Sequence, residues 1–84
     1  MQKRIGMIGI FVKDRGEAAQ LVNRYLSDYG DIVVARVGVP YRERGISVIS
    51  VIVDGTNDEI GALAGRLGSI AGVTVRSMLA PEQQ

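Results

Sequence analysis

The stretch TNDEIGALAGRLGSIAG, residues 56–72, decides how the chain folds. Thr56 and Glu59 form a T-x-x-E capping box, which marks a helix start. Ile60, Leu63, Ala64, Leu67, Ile70 and Ala71 then recur on one helical face. Gly72 suits the C-terminal stop. The difficulty lies in Gly61, Gly65 and Gly68, because each interior glycine costs a helix roughly 0.5–1 kcal/mol relative to alanine. On a wheel of about 100° per residue the three share a narrow stripe. It runs between the apolar face and the polar face of Asp58, Ala62, Arg66 and Ser69. A glycine flank lets another backbone or a ligand come close to the helix axis. Close packing on the first helix or on a sheet is the expectation; a crevice for a small molecule is the alternative.

Outward from this helix, ISVISVIVD (46–54) and VTVRSML (73–79) are β-branched runs that read as strands. The N-terminal half has the same order. IGMIGIFV (5–12) is a buried strand by its length and charged flanks. DRGEAAQLVNRYLSDYG (14–30) has helical spacing at Ala18, Leu21, Val22, Tyr25 and Tyr29, with Asp14 and Glu17 as a start and Gly30 as a stop. DIVVARVGV (31–39) is a strand. PYRERG (40–45) reads as a connection, in which Pro40 removes a ladder donor and Gly45 permits positive φ. The order β-α-β-β-α-β predicts an α+β, ferredoxin-like sandwich, an antiparallel sheet with two helices on one face. One domain is expected over residues 1–80, with residues 81–84 as a flexible tail.

Composition narrows the chemistry. The 84 residues contain no cysteine and no histidine. Disulfides, thiolate metal sites, imidazole ligands and the commonest general base are therefore excluded. Ser47, Ser50, Ser69 and Ser77 have no histidine to activate them, and Lys3 and Lys13 sit at strand ends. No catalytic residue, metal ligand or cofactor is expected, and the chain reads as a non-enzyme. Neither GALAGRLG nor GMIGIF has phosphate-loop or dinucleotide-binding spacing. A net charge of +1 with interspersed signs and few aromatics speaks against direct nucleic-acid binding. The apolar run near the start is too short for a membrane span. A cytoplasmic protein is expected.

A two-layer fold covers one sheet face with its own helices, so the other is expected to alternate polar. Here it does not. Ile5, Met7 and Phe11 oppose Ile8, Ile10 and Val12; Val33, Ala35 and Val37 oppose Ile32 and Val34; Ile49, Val51 and Val53 oppose Ile46, Val48 and Ile52. Two apolar faces predict a homo-oligomer, dimer or tetramer, with Ile32 or Ile49 at the interface according to which face is open. Arg36 falls on the Ile32–Val34 side, and Arg76 between Thr74 and Met78. An arginine in an apolar interface needs an anion or an acceptor; the alternative is a long side chain reaching the rim.

The segments RVGVPYRE (36–43) and NDEIGALAGRLGSIAGVTVRS (57–77) resemble the small family of iron-only hydrogenase system regulators. Its members show R-V-G-x-P-x-R-E and I-G-A-L-x-G-x-L-G-x-I-x-G-V stretches. The opening KRIGMIGIFVKDR (3–15) is similar too. The resemblance implies a domain similar to the C-terminal domain of the nickel-responsive regulator and to ACT regulatory domains. Those associate through sheets and helices and hold small effectors at the interfaces. The nickel regulator binds its metal through histidines and a cysteine, which this chain lacks, and it carries a DNA-binding domain for which 84 residues leave no room. The turn DRG (14–16) resembles the strand-to-helix turn where ACT effectors contact backbone, although capping also accounts for it. The expected function is thus an oligomeric, ACT-like regulatory module that binds a small anionic effector. Arg36, Tyr41 and Arg42 would supply charge and hydrogen bonds, and Gly61 and Gly65 close approach. The alternative is an assembly or scaffold protein that docks a partner protein without a small ligand.

Overall fold

The computed structural model describes residues 2–13 and 16–81. The Asp14 cap, most of the 14–16 turn and tail residues 82–84 lie outside them. Strand β1 (Arg4–Lys13) leads to helix α1 (Gly16–Asp28), strand β2 (Val33–Tyr41), a single 3-10 turn (Arg42–Arg44), strand β3 (Ile46–Gly55), helix α2 (Asn57–Gly68) and strand β4 (Val73–Leu79). The sheet order is β2-β3-β1-β4, with every neighbouring pair antiparallel. This is the ferredoxin-like, ACT-like arrangement.

The core forms on one side of the sheet. Ile8, Ile10 and Val12 of β1 and Ile49, Val51 and Val53 of β3 meet Ala18, Val22 and Leu26 of α1 and Ile60, Leu63 and Leu67 of α2. Both Ile32 and Ile49 belong to this buried cluster. Neither is an interface residue, which corrects the expectation that one of them would face a partner. A strand reveals two faces but not which of them its helices will cover.

Two boundaries also differ. Strand β2 runs through Pro40 to Tyr41, where a connection was expected. Because β2 is an edge strand, the missing proline N–H can point away from the ladder at no loss. Helix α2 stops at Gly68, and Gly72, at φ 85°, serves the turn into β4 instead of ending the helix. The start of α2 is as expected. The Thr56 N–H donates to Glu59 Oε1 at 2.8 Å, and the Glu59 N–H donates to Thr56 Oγ1 at 3.1 Å. Gly45 sits at φ 69° after the 3-10 turn, in the region that favours glycine.

Among the described residues nothing packs on the glycine stripe of α2. A Cβ placed on Gly61, Gly65 or Gly68 would meet no atom within 4 Å. The expectation of a close helix contact is corrected. The core draws in α2 through Ile60, Leu63 and Leu67, and the flank beside them stays open. Close approach is needed elsewhere. At Gly55, a Cβ would lie 2.9 Å from Ile32 Cγ2 and 3.0 Å from Glu59 Oε1. This glycine lets β3 enter the α2 cap while passing under Ile32, whose carbonyl accepts from the Asp54 N–H at 2.8 Å.

Candidate functional site

The site begins with an irregularity in β2. Val33 pairs with Val53, but Ala35 pairs with Ile52, so the register slips by one residue between them. Such a bulge sends later side chains to the opposite face from simple alternation. Val33 packs against the core while Ala35 and Val37 join the open face. Their expected common face is thereby corrected, and Val34 is left 64% exposed at the bulge. Beyond the bulge, Arg36, Gly38 and Pro40 pair with Val51, Ile49 and Ser47 and share the helix-side face.

There Arg36 meets α1. Its Nη2 donates to Asn23 Oδ1 at 2.8 Å. A crevice of about 240 Å³ opens beside this contact. Ala19 and Asn23 of α1 form one wall, Arg36, Gly38 and Pro40 of β2 the other, and Val12, Ser47 and Ile49 contribute the floor. Gly38 keeps the β2 wall low; the nearest atom to a Cβ there would be Ile49 Cγ1, at 3.8 Å. The crevice therefore joins an apolar floor to a guanidinium, a carboxamide and a hydroxyl. A guanidinium carries five N–H donors in a fixed fork that matches carboxylate or phosphate oxygens. The small volume suits a compact ligand, below the usual range of drug-sized pockets.

Arg42, in the 3-10 turn, lines a second hollow of about 170 Å³ with Pro40, Ile46 and Ser47. The two hollows share Pro40 and Ser47, so Arg36 and Arg42 flank a continuous stretch of the β2 edge. Tyr41 lies on the other face, opposite Ile46 in the register, and is 44% exposed. Gly61 and Gly65 are on α2 and border neither hollow. Of the expected ligand set, then, the fold gathers Arg36 and Arg42, and sets Tyr41 and the two glycines apart.

Asn23, Gly38 and Ser47 were not anticipated. Ser47 had a legible signal, being a hydroxyl two residues before Ile49 on the core-facing side of β3. Asn23 had none, since its value depends on where the β2 bulge delivers Arg36. A second arginine also bridges elements: Arg66 Cζ of α2 lies 5.0 Å from the centroid of the Tyr25 ring of α1. Arg66, placed by the helical wheel on the polar face of α2, is thus within range of a cation–π contact. Among the described residues, no group of three carboxylates could hold a metal ion.

Comparison with known proteins places this geometry in context. Residues 4–77 match the family model TM1266-like, described as "Iron-only hydrogenase system regulator, putative". The chain is similar to the solved structure of the uncharacterised protein TM1266 from Thermotoga maritima, with 38% identity and a TM-score of 0.93 over 95% of this chain and 100% of that one. It also shares its fold with the ACT domain from the GTP pyrophosphokinase of Chlorobium tepidum, at 19% identity, a TM-score of 0.78, and coverage of 92% of this chain and 100% of that domain. A formyltetrahydrofolate deformylase from Pseudomonas putida contains the same fold, at 20% identity and a TM-score of 0.65, over 92% of this chain but 29% of that enzyme. No curated protein gives a significant match.

Proposed function

Because the chain belongs to the TM1266-like family, described as a regulator, we propose that it acts by binding and not by catalysis. It is a homo-oligomeric, ACT-like regulatory domain of the cytoplasm, dimer or tetramer, that takes a small anionic effector in the crevice between α1 and β2. The observation that carries this reading is Arg36, held at the crevice by Asn23 with one of its five donors engaged. Arg36 would bind a carboxylate or phosphate, Arg42 would add charge from the adjoining hollow, and Val12, Pro40 and Ile49 would select an apolar portion. Tyr41, Gly61 and Gly65 would act only across a boundary between copies, since they lie off this crevice. The absence of histidine and cysteine supports a non-catalytic role. Among the described residues no helix is long and apolar enough to cross a membrane.

The test is native mass spectrometry of freshly purified protein, followed by calorimetric titration with a panel of small carboxylates and phosphates. A retained or titrated anion whose affinity falls at least tenfold in Arg36→Ala is the expected result. Binding that ignores Arg36→Ala sinks this site. The rival is a scaffold that docks a partner protein without a small ligand, favoured by the apolar open face of the sheet. Native spectra free of any adduct, with no anion bound in titration, would select it.

A further inference from the structure

Pairing partners arrange the open sheet face in rows. Ala35, Ile52, Met7 and Met78 form one row; Val37, Ser50, Gly9 and Arg76 form the next; Val39, Val48, Phe11 and Thr74 form the third. The outer rows are largely apolar ridges. The middle row sinks at Ser50 and Gly9, leaving a hollow of about 380 Å³ bordered by Met7, Ser50, Arg76 and Met78. Among the described residues, every exposed large hydrophobic side chain except Val34 lies on this face. The one phenylalanine of the chain, Phe11, is among them, 51% exposed.

Gly9 is the telling residue. It sits within β1, a central strand, where glycine weakens the strand and often marks the approach of another molecule. Nothing among the described residues requires it. A Cβ at Gly9 would meet only the Arg76 carbonyl oxygen, at an ordinary 3.8 Å. Among the described residues the hollow is therefore left open on its outer side.

We propose that two copies pack through this face about a two-fold axis, with Phe11 of each copy seated in the hollow over Gly9 of the other. The proposal rests on the self-association reading above and names its surface and central contact. Shape argues for a second copy: a ridge one row from a trough is self-complementary when the axis lies parallel to the rows and between them, β1 over β1. An isologous contact of this kind closes the assembly. Four strands ~4.8 Å apart and seven residues at ~3.3 Å each give a flat footprint of about 440 Å², a lower bound on the area. Side-chain relief raises that toward the roughly 800 Å² per partner of a stable interface. Charge does not oppose it, because Arg76, the one charge within the three rows, stands on the edge strand β4 and its Nη1 donates to the Val75 carbonyl oxygen at 2.8 Å.

Sedimentation equilibrium of wild type, Gly9→Val, Phe11→Ala and the double variant tests this, with circular dichroism to confirm each fold. The expected result is a wild-type dimer and at least a tenfold rise in dissociation constant for each single variant. The double variant should be no weaker than the weaker single, since both changes remove the same contact. Gly9→Ala is the milder filling should valine unfold the strand, with a loss of threefold or more expected. A folded Gly9 variant that dimerises within twofold of wild type overturns the Phe11–Gly9 contact while leaving self-association standing. Wild type that stays monomeric at 100 μM removes both. A small molecule found in the hollow of wild type and lost in Gly9→Ala, with the oligomer unchanged, also overturns the proposal.

Discussion

Arg36 of the edge strand β2 and Asn23 of helix α1 are joined by a 2.8 Å hydrogen bond, from Arg36 Nη2 to Asn23 Oδ1. The bond fixes the guanidinium at the mouth of the crevice and ties the end of the sheet to the helix layer. It is exposed, so its net worth is about 1 kcal/mol. Asn23→Ala and Arg36→Ala should each lower unfolding stability by that order, and the double variant by little more than either single. Urea unfolding at fixed protein concentration checks this, because self-association would otherwise mix with folding. Strict additivity would mean the two side chains act independently.

Gly65→Ala should stabilise the fold. A methyl there meets no atom within 4 Å, so the helix-propensity gain of about 1 kcal/mol is not offset. For a domain of this size that corresponds to a rise of roughly 4–8 °C in Tm. A fall in Tm, or loss of the oligomer, would reveal a partner surface lying on the α2 stripe.

Gly55→Ala should do the opposite. The added carbon would stand 2.9 Å from Ile32 Cγ2 and 3.0 Å from Glu59 Oε1, against both the core and the α2 cap. Overpacking of this kind costs typically about 1–3 kcal/mol. Thermal melts of Gly55→Ala beside Gly65→Ala give the comparison, and equal Tm values would contradict the packing described for β3.

The Glu59 carboxylate accepts from the Thr56 N–H, and this hydrogen bond holds its pKa below the ordinary 4.5. A depressed carboxylate pKa means that the unfolded chain binds protons more readily. The capping contribution is therefore complete above the unfolded value and is lost as pH falls through the folded one. Glu59→Gln keeps an acceptor but cannot titrate. The stability gap between wild type and Glu59→Gln should be open at pH 6 and close in acid below the usual carboxylate range. A gap unchanged from pH 6 to pH 3 would show that the charge contributes nothing to the cap.

Equilibrium dialysis against nickel or zinc should leave less than one equivalent per chain. Without histidine or cysteine, the side chains offer oxygen and amide donors that suit hard cations. Stoichiometric retention of either metal would require a site built from carboxylates and backbone.

The order of strands and helices, the capping box at Thr56 and Glu59, and the two-sided apolar character of the strands were all legible in the sequence. Each depends on neighbours a few residues apart: alternation of period two, helical spacing, and a reciprocal bond over one turn. Lack of histidine and cysteine as metal ligands was equally plain, being a matter of composition. Which face the helices cover, and so the burial of Ile32 and Ile49, was settled only when the four strands came together. The bulge at Val34 likewise arises from the pairing of β2 with β3, and it alone turns Arg36 toward Asn23. The α2 glycines looked like packing residues because their stripe borders the buried face, yet tertiary packing leaves that flank uncovered. Local periodicity specifies which side chains share a face; only the assembled layers determine what, if anything, that face meets.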